Sequence, residues 1–363
     1  MIFNGLLGRQ EKKRHYSSLV MLSALLIFSG LTKAKDDSDS QLSILLYHHI
    51  DDSTPKITST APALFKQHLN YLKKNDFNVM PLNQALDQLF KGKTLPAKSV
   101  AITFDDGYES IYKTAWPILK EYNYPFTVFV ATEPVEKAYA LMMNWQQLSE
   151  ISNAGVTLAN HTHTHAHLLS LLPKQFINEI NMADKALDKQ SSLSKQFSHT
   201  KSLFAYPYGE YSKSITDHLK QDNRYAVAQV SGAVSRYSNP QALPRFSFSG
   251  NYGSMEQFKL KVNSVAMPVI QQANYDPLIN PSVKSFTLKF DSLPFAKSGF
   301  NCFYQNETID NIEWDQSKVT ITISQKPIEG RSRINCTAPA SNGRFFWHSI
   351  PIFVKPSSGN WPE

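Results

Sequence analysis

Short apolar runs alternate with helix-like segments from about residue 42 to residue 265, and this alternation limits the possible fold more than any other feature of the chain. A continuous apolar run is typical of a strand buried on both faces, whereas apolar residues at every third or fourth position are typical of an amphipathic helix. Strands and helices in alternation favour a parallel sheet that is covered by helices. We predict strands at Ser43–Tyr47, Ser99–Phe104, Phe126–Ala131, Val156–Ala159, Ser202–Tyr206, Tyr225–Val230 and Arg245–Phe248.

Helical periodicity fills the intervals between these strands. We predict helices that begin near Pro62 and Leu82, a helix around residues 111–119 with a kink or early break at Pro117, and helices over 174–190 and 254–264. Six or seven strand–helix units fit a barrel better than an open sheet. The predicted fold class is therefore α/β, with an irregular (β/α) barrel of about seven strands over residues 42–267.

A different pattern begins near residue 284, after a stretch over 268–282 that contains Pro and Asn. Short β-like segments separated by turn residues replace the helical periodicity. They are Ser285–Phe290, Ile309–Trp314, Lys318–Ser324, Arg333–Cys336 and Phe345–Val354. We therefore predict a small β-rich accessory domain over residues 284–363.

The two cysteines of the chain, Cys302 and Cys336, both lie in this region. In an oxidising compartment the simplest interpretation is one disulfide, which closes a loop and contributes about 3 kcal/mol of stability. Two unpaired buried thiols are the alternative. Trp314 and Trp347 lie in the same region, where they either bind glycan or simply pack.

Residues 1–34 have the layout of a secretory signal peptide. A basic stretch over 9–14 precedes an apolar run over 19–28, and Thr32-Lys33-Ala34 resembles a cleavage site. The run is shorter than the roughly 20 residues that a membrane-spanning helix needs. Because Lys33 lies inside the cleavage site, an uncleaved anchor that attaches the protein to a membrane is one alternative, and a hydrophobic stretch of a cytosolic protein is another. We expect a linker over 35–41 and export to the periplasm, the cell envelope or the exterior.

The formal net charge of +7 invites the hypothesis of a nucleic-acid partner. Residues 9–34, however, carry five basic side chains against one acidic side chain, so much of the excess belongs to the leader. The rest of the chain has no long basic run and no motif that reads a nucleic-acid groove. We therefore expect no nucleic-acid partner.

Polar and ionisable residues follow four of the predicted strands at their carboxyl ends. Ligands bind at this edge of α/β barrels and sheets because the loops of neighbouring strands converge there. The four clusters are Tyr47-His48-His49, Asp105-Asp106-Gly107, His161-Thr-His163-Thr-His165-Ala-His167 and Tyr206-Pro207-Tyr208-Gly209. Core packing does not predict this coincidence, so we expect a functional site at this edge.

His161 and His165 are four residues apart, and a tight loop lets side chains at this spacing bind one metal ion with a carboxylate as third ligand. Two imidazoles and one carboxylate leave coordination positions open for water, which is typical of catalytic sites. Consecutive carboxylates diverge in an extended backbone, so either Asp105 or Asp106 can face the metal while the other takes a proton from water. The alternatives are a His-rich surface loop and an Asp-Asp-Gly turn that caps a helix.

Three segments together resemble the central motifs of the NodB-homology polysaccharide deacetylases. These are metal-dependent carbohydrate esterases that remove N- or O-acetyl groups from sugar polymers. The matching segments are Thr103-Phe-Asp-Asp-Gly107, His161-Thr-x-x-His165 and Phe204-Ala-Tyr-Pro-Tyr-Gly209. The resemblance spans about residues 42–265 and leaves the C-terminal quarter of the chain uncovered.

The resemblance implies a role for each matched residue. Asp105 would be the general base, and the ligands of one divalent metal ion would be Asp106, His161 and His165. Zinc is the expected metal, and cobalt or nickel would also accept these ligands. The backbone N–H of Tyr208 would help to hold the oxyanion.

His48 looks like the N-terminal histidine of the poly-N-acetylglucosamine deacetylase branch, in which the motifs are circularly rearranged. It would act as the general acid, whereas His49 is the less favoured candidate because the family tyrosine immediately precedes the acting histidine. His163 and His167 match no metal position, and we interpret them as loop residues.

One position departs from the family pattern. Many members carry an Arg two residues before the Pro of the third motif, where it tunes the general base, but Ala205 stands there in this chain. Arg245 is a candidate to supply the missing charge from another strand, and a structural Arg is the alternative. Tyr108, Tyr208 and Tyr211 either stack against sugar rings or pack in the core or the rim.

The resemblance implies metal-dependent hydrolytic removal of N-acetyl groups from an exported or cell-envelope polysaccharide, with a poly-N-acetylglucosamine-like polymer favoured. The alternatives are deacetylation of peptidoglycan or chitin oligosaccharides and a non-catalytic exported glycan-binding protein. Glycoside hydrolysis is disfavoured, because it needs carboxyl groups about 5–9 Å apart on either side of the sugar bond. Adjacent Asp105 and Asp106 do not supply such a pair.

Overall fold

The computed structural model describes residues 40–193, 197–270 and 275–362. The predicted leader over 1–34 and residues 35–39 of the predicted linker lie outside the described residues. Within the part of the chain that is described, no helix combines the length and the apolar composition that a membrane crossing requires.

The barrel region contains short strands and helices in alternation. Its strands are β1 (Gln41–Tyr47), β2 (His49–Ile50), β3 (Ser59–Thr60), β4 (Asn78–Val79), β5 (Ser99–Phe104), β6 (Phe126–Val130), β7 (Thr157–Asn160), β8 (Thr200–Ala205), β9 (Tyr225–Val227), β10 (Val234–Ser235) and β11 (Phe246–Ser247). Its α-helices are α1 (Pro62–Lys74), α2 (Leu82–Phe90), α3 (Trp116–Tyr122), α4 (Thr132–Glu136), α5 (Trp145–Asn153), α6 (Pro173–Leu193), α7 (Lys213–Gln221) and α8 (Met255–Val262).

The main sheet runs in the order β10, β1, β5, β6, β7, β8 and β9, with β11 also paired to β1 and β4 paired to β5. The pairs from β1 through β9 are parallel. Every residue of β5 and β6 is buried, which explains why these strands are continuous apolar runs in the sequence. The predicted parallel sheet is confirmed.

The segment over residues 243–247 joins the two edges of this curled sheet. On one side, the backbone N–H groups of Ala228 and Arg245 donate to the carbonyls of Leu243 and Val230, each at 2.8 Å. On the other side, β11 pairs in parallel with β1. The prediction of an irregular barrel of about seven strands is therefore confirmed. The two-residue strands β2, β3, β4 and β10 were not predicted, because two residues are too few to establish a period.

The helix around Pro117 is interrupted as predicted. The N–H of Trp116 donates to the carbonyl of Ile111, five residues back, so residues 111–115 form a π-turn and α3 begins at Trp116. Pro117 then lies in the first turn of α3, where the missing N–H costs no intrahelical hydrogen bond.

The C-terminal part of the chain contains only strands and short turns among its described residues. The strands are β12 (Val265–Ala266), β13 (Val269–Ile270), β14 (Ser285–Phe290), β15 (Asn301–Tyr304), β16 (Glu307–Thr308), β17 (Ile312–Asp315), β18 (Lys318–Thr322), β19 (Gly330–Pro339) and β20 (Phe345–Val354). They form two sheets, in the orders β12-β20-β19-β15-β16 and β13-β14-β18-β17, around a common apolar core.

The sequence suggested that this β-rich region starts at residue 284. In the structure it begins earlier, with β12 at Val265. The two-residue strands β12 and β13 join these sheets rather than the barrel sheet. Cys302 and Cys336 lie directly opposite each other on β15 and β19 and form the predicted disulfide.

Candidate functional site

The four clusters singled out in the sequence meet at one edge of the barrel. His48 follows β1, Asp105 and Asp106 follow β5, His161 follows β7, and Tyr208 follows β8. Since these strands run parallel in one sheet, their carboxyl ends deliver the four loops to the same edge. The predicted site is thus assembled from separate parts of the sequence.

Three of these side chains converge on a common point. The Oδ1 atom of Asp106 lies 3.2 Å from Nε2 of His161 and 3.1 Å from Nε2 of His165. Among the described residues, these three form the group whose ligand atoms all lie within 4.8 Å of one another. His161 and Asp106 are buried, whereas the side chain of His165 retains 24% exposure to solvent. This is the arrangement that a small cation requires.

The hydrogen bonding of His161 fixes which of its nitrogens is available. Its Nδ1 donates to the carbonyl of Ala205 at 2.8 Å, so in the neutral ring Nε2 carries a lone pair. Neither this Nε2 nor Oδ1 of Asp106, both buried, has a hydrogen-bond partner among the described residues. Two lone-pair atoms therefore face each other at 3.2 Å, a repulsive contact that a bound cation relieves.

The charges in the cluster are strongly coupled. Burial alone would raise the pKa of the Asp106 carboxyl, but the imidazoles of His165 and His161 hold this pKa well below its usual range. Burial works to lower the pKa of His165, yet the neighbouring Asp106 carboxylate raises it above the ordinary value. The carboxylate therefore draws positive charge into the centre of the cluster.

Several site residues occupy the left-handed backbone region that ordinary side chains avoid. Asp106 has φ of 73°, Thr162 of 68°, His165 of 59° and Tyr208 of 57°. Strained backbone of this kind persists only when the surroundings enforce it, and it is concentrated at functional sites. Around Thr162, the side chain of Asn160 accepts from the Thr162 N–H at 2.7 Å, and the Thr162 hydroxyl accepts from the N–H of His165 at 3.1 Å.

A buried ion pair holds Asn160 in turn. The Asn160 amide donates to Asp184 at 2.7 Å and to the carbonyl of Ile180 at 2.9 Å, both on α6. Asp184 also forms a buried ion pair with Arg224. Polar contacts from Asp184 through Asn160 to the Thr162 backbone thus hold the loop that carries His161 and His165.

Asp105 forms an ion pair with Arg245. The two guanidinium nitrogens Nη1 and Nη2 donate to the two carboxylate oxygens at 2.7 and 2.6 Å, and both side chains are fully buried. Arg245 also donates through Nε to the carbonyl of Ala228 and through Nη1 to the hydroxyl of Thr103. Burial alone would raise the pKa of Asp105, but the Arg245 guanidinium, with His161, lowers it. Arg245 therefore lies where the sequence analysis placed the missing positive charge.

His48 and His49 diverge after β1. His48 is half-buried, and it interacts electrostatically with Asp106 and Asp105, whose carboxylates partly oppose the lowering of its pKa by burial. His49 is instead buried in a stack against Tyr108, with 3.6 Å between the ring centroids. His49 thus has a packing contact with Tyr108, while the Asp106 carboxylate acts on both histidines and partly opposes the lowering of their pKa by burial.

The turn after β8 needs a glycine. Gly209 has φ of 72°, and a Cβ atom added there would lie 2.5 Å from the backbone nitrogen of Gln229. Neighbouring Tyr208 stacks flat on His167, with 3.9 Å between ring centroids, and its ring lies 4.7 Å from that of His165. The turn therefore places Tyr208 beside the three-residue cluster.

The remaining candidates have other contacts. His163 interacts with the Thr132 hydroxyl at 2.9 Å, away from the cluster. Tyr211 is buried between Tyr206 and Phe353, so it packs in the core and does not line the rim.

Both tryptophans considered for glycan binding pack against aromatic neighbours. Trp314 contacts Phe290 and Phe300, and Trp347 contacts Phe246. Packing therefore accounts for both.

Two site residues were missed in the sequence. Glu210 directly follows the Tyr-Pro-Tyr-Gly segment and is fully buried, and Arg331 on β19 donates to it at 2.7 Å. The position of Glu210 beside a motif was a usable signal. Arg331 lies in a region without a recognisable motif, so no signal in the sequence would identify it.

The comparisons with known proteins agree with this geometry. The sequence profile of the family described as Polysaccharide deacetylase matches residues 92–227. The chain is 32% identical over 216 residues to the poly-beta-1,6-N-acetyl-D-glucosamine N-deacetylase of Staphylococcus aureus strain MRSA252, an alignment that covers 57% of this chain and 74% of that protein.

Two solved structures are similar to the barrel. The Streptococcus pyogenes deacetylase PplD in complex with acetate aligns with a TM-score of 0.56 and 26% identity, over 62% of this chain and 99% of that chain. IcaB from Ammonifex degensii aligns with a TM-score of 0.53 and 24% identity, over 61% of this chain and 97% of that chain, and supports the fold. With the profile, the relative and the barrel in agreement, this chain belongs to the polysaccharide deacetylase family.

Proposed function

We propose that this protein hydrolyses N-acetyl groups from a poly-β-1,6-N-acetylglucosamine-like polysaccharide with the help of one divalent metal ion. The observation that carries the proposal is the convergence of Asp106, His161 and His165, with two buried lone-pair atoms facing each other, beside the ion-paired Asp105. The choice of polymer is supported by the 32% identity to a staphylococcal enzyme of that name.

The residues present fit a metal ion. Two neutral imidazole nitrogens and one carboxylate oxygen are a ligand set that zinc accepts, as do cobalt and nickel. His161 donates its other nitrogen to a backbone carbonyl, which is the support that a metal-binding histidine commonly has. When bound, a divalent ion supplies Lewis acidity, which polarises an acetyl carbonyl and acidifies water.

Asp105 is suited to accept the proton of the attacking water. Its carboxylate lies next to Asp106 in the sequence, and Arg245 keeps it ionised although it is fully buried. An ionised carboxylate that faces the reacting water is the form that a general base needs. We assign this role to Asp105.

His48 and Tyr208 complete the proposed reaction. An amine must not leave as an anion, so a proton has to reach the nitrogen as the C–N bond breaks, and half-buried His48 is the donor we assign. We assign the backbone N–H of Tyr208 to the oxyanion, where one such donor is worth roughly 3 kcal/mol.

The substrate of such an enzyme is outside the cytoplasm, and we propose that the protein is exported to the cell envelope. The signal-like sequence over 1–34 supports this location, with anchoring to a membrane as the variant in which the leader is retained.

The decisive test is a panel of acetylated glycans treated with the wild type and with Asp105→Asn. We expect release of acetate and of free amines from poly-β-1,6-N-acetylglucosamine oligomers by the wild type, and a loss of at least about 100-fold in Asp105→Asn. Zinc binding by the variant is the control for an intact site. Activity on chitin oligosaccharides or peptidoglycan alone contradicts the polymer assignment, and new reducing ends or glycan binding without acetate release contradict the reaction.

A further inference from the structure

Glu210 is a fully buried carboxylate that neither the metal cluster nor Asp105 contacts directly in the described structure. It follows the Tyr208–Gly209 turn, and its Oε1 accepts from Nη1 of Arg331 at 2.7 Å. His167 lies on its other side, with Nδ1 at 3.1 Å from both carboxylate oxygens. A buried carboxylate of this kind needs compensating charge, because an unpaired one is strongly destabilising.

The same two partners of Glu210 also contact the ring of Tyr208. His167 stacks on this ring at 3.9 Å with an interplanar angle of 9°, and the guanidinium carbon of Arg331 lies 5.2 Å from the ring centroid. A guanidinium at this distance from an aromatic ring is attracted to it. His167 and Arg331 therefore each contact both the ring of Tyr208 and the carboxylate of Glu210.

Arg331 comes from outside the barrel. It lies on β19, in the β-rich region, whereas Glu210 lies 121 residues earlier in the chain, on a loop of the barrel edge. The family profile ends at residue 227, so Arg331 is not part of the matched region. The β-rich region thus contributes a charged side chain at the border of the proposed active site.

The contact between Arg331 and Glu210 matters because the turn over residues 206–210 has a strained backbone. Tyr208 and Gly209 both have positive φ, and the N–H groups of Gly209 and Glu210 donate to the carbonyls of Tyr206 and Pro207. Left-handed backbone at a non-glycine residue is costly, so it relaxes when the contacts that enforce it are lost. Relaxation here displaces the Tyr208 ring, which lies 4.7 Å from that of His165.

We propose that Arg331 is a positioning residue of the active site. Through Glu210 and the Tyr208 ring, strand β19 of the C-terminal region holds the turn of residues 206–210 in its strained conformation. The consequence for catalysis rests on the proposed function, because only a working deacetylase uses the Tyr208 N–H. The consequence for the turn itself does not depend on that function.

The test compares Arg331→Met with the control Arg333→Met. Methionine keeps most of the length of the arginine stem and removes its charge and donors. Arg333 is two residues further along the same strand, so its substitution reproduces the loss of one arginine from β19. The first measurement is hydrogen exchange at the amides of Gly209 and Glu210, and the second is steady-state deacetylation.

In Arg331→Met we expect protection of these two amides to fall about tenfold or more, since local opening becomes easier. We expect kcat to fall about 10- to 100-fold with KM within about twofold, because a displaced group next to the reacting atoms costs rate rather than ground-state binding. Arg331→Lys restores part of both, because Glu210 receives a single hydrogen bond from the guanidinium. Arg333→Met leaves both unchanged.

Unchanged protection in Arg331→Met, or an equal loss in Arg333→Met, overturns the proposal. If Arg331→Met does not fold, Glu210→Gln takes its place, because the amide keeps the shape and removes the attraction to Arg331. The double variant Arg331→Met/Glu210→Gln is then no worse than the single variant if Arg331 acts through Glu210. Loss of protection together with a wild type that releases no acetate defeats the proposed function and leaves the positioning role standing.

Discussion

Arg245 and Asp105 are 140 residues apart in the sequence and form a fully buried, bidentate ion pair with both nitrogen–oxygen distances at 2.7 Å or less. The arginine approaches from the segment that closes the barrel, and the aspartate from the end of β5. The resemblance to the family implies an arginine two residues before the Pro of the third motif, where this chain has Ala205. In this chain Arg245 supplies a positive charge to Asp105 from a different part of the sequence.

Replacing Arg245 should move the acidic side of the pH–rate profile. The guanidinium favours the ionised form of Asp105, so its loss raises the pKa of this carboxyl and the base becomes protonated at higher pH. In Arg245→Met the acidic limb of kcat/KM should move to higher pH, and it should move by less in Arg245→Lys. Arg344→Lys, in the turn before β20, is the control. An unchanged profile in Arg245→Lys and Arg245→Met would remove Arg245 from the proposed mechanism.

Zinc should stabilise the wild type and not Asp106→Asn. A ligand that binds only the folded state stabilises by about 2.7 kcal/mol at 100 times its Kd, and chelation reverses this gain. The asparagine keeps the shape of the side chain and removes the negative charge that draws a cation between the histidines. The measurement is the free energy of unfolding in urea with and without zinc.

The matched control for the zinc experiment is His163→Asn. His163 belongs to the same histidine run but interacts with Thr132, outside the cluster. Its variant should gain as much from zinc as the wild type does. An equal gain in Asp106→Asn would show that zinc binds elsewhere.

Alanine at Gly209 should be far more harmful than alanine at Gly92. Both glycines have nearly the same φ, 72° and 73°, but a Cβ at Gly209 meets the backbone of Gln229, whereas a Cβ at Gly92 meets nothing within 4 Å. Gly92→Ala should cost about 1–2 kcal/mol for the left-handed backbone alone. Gly209→Ala should cost about 1–3 kcal/mol more and lower kcat. Equal costs in urea unfolding would contradict the close approach to Gln229.

Stability should fall below pH 6.5 partly because of His68. This side chain is fully buried between the Tyr47 hydroxyl and the carbonyl of Gly253, and burial lowers its pKa from 6.5 to about 4. Between these values the unfolded chain binds a proton that the folded protein does not, so unfolding becomes easier as the pH falls. The full loss is about 3 kcal/mol, reached near pH 4.

His68→Gln measures this contribution, since glutamine does not titrate and keeps polar atoms at the site. Urea unfolding at pH 7, 5.5 and 4.5 should give a shallower loss of stability for the variant than for the wild type. Parallel curves for the two proteins would assign the acid sensitivity to other groups.

The predictable parts of the site are those whose residues lie close together in the sequence. Asp105 and Asp106 follow a continuous apolar strand, and the spacing of His161 and His165 already suggests that both bind one metal ion. The sequence also suggested that Arg245 supplies a charge to the site, because Ala205 occupies the position at which the resemblance implies an arginine. Each of these inferences depends on residues that lie close together along the chain or on one resemblance.

The contact between Glu210 and Arg331 could not be predicted in this way. It joins a barrel loop to a strand of the β-rich region 121 residues later, and no period or motif links the two. The close approach of Gly209 to Gln229 is likewise a property of packing, because neither residue's neighbours indicate the distance. Sequence patterns report local geometry, whereas these contacts follow from how distant elements dock.

The strand segment that seals the barrel also carries Arg245. A chain still under synthesis therefore holds Asp105 without its counterion until residue 245 has joined the sheet. In the proposed mechanism, a fragment that ends before residue 245 therefore lacks the charge that keeps the base ionised.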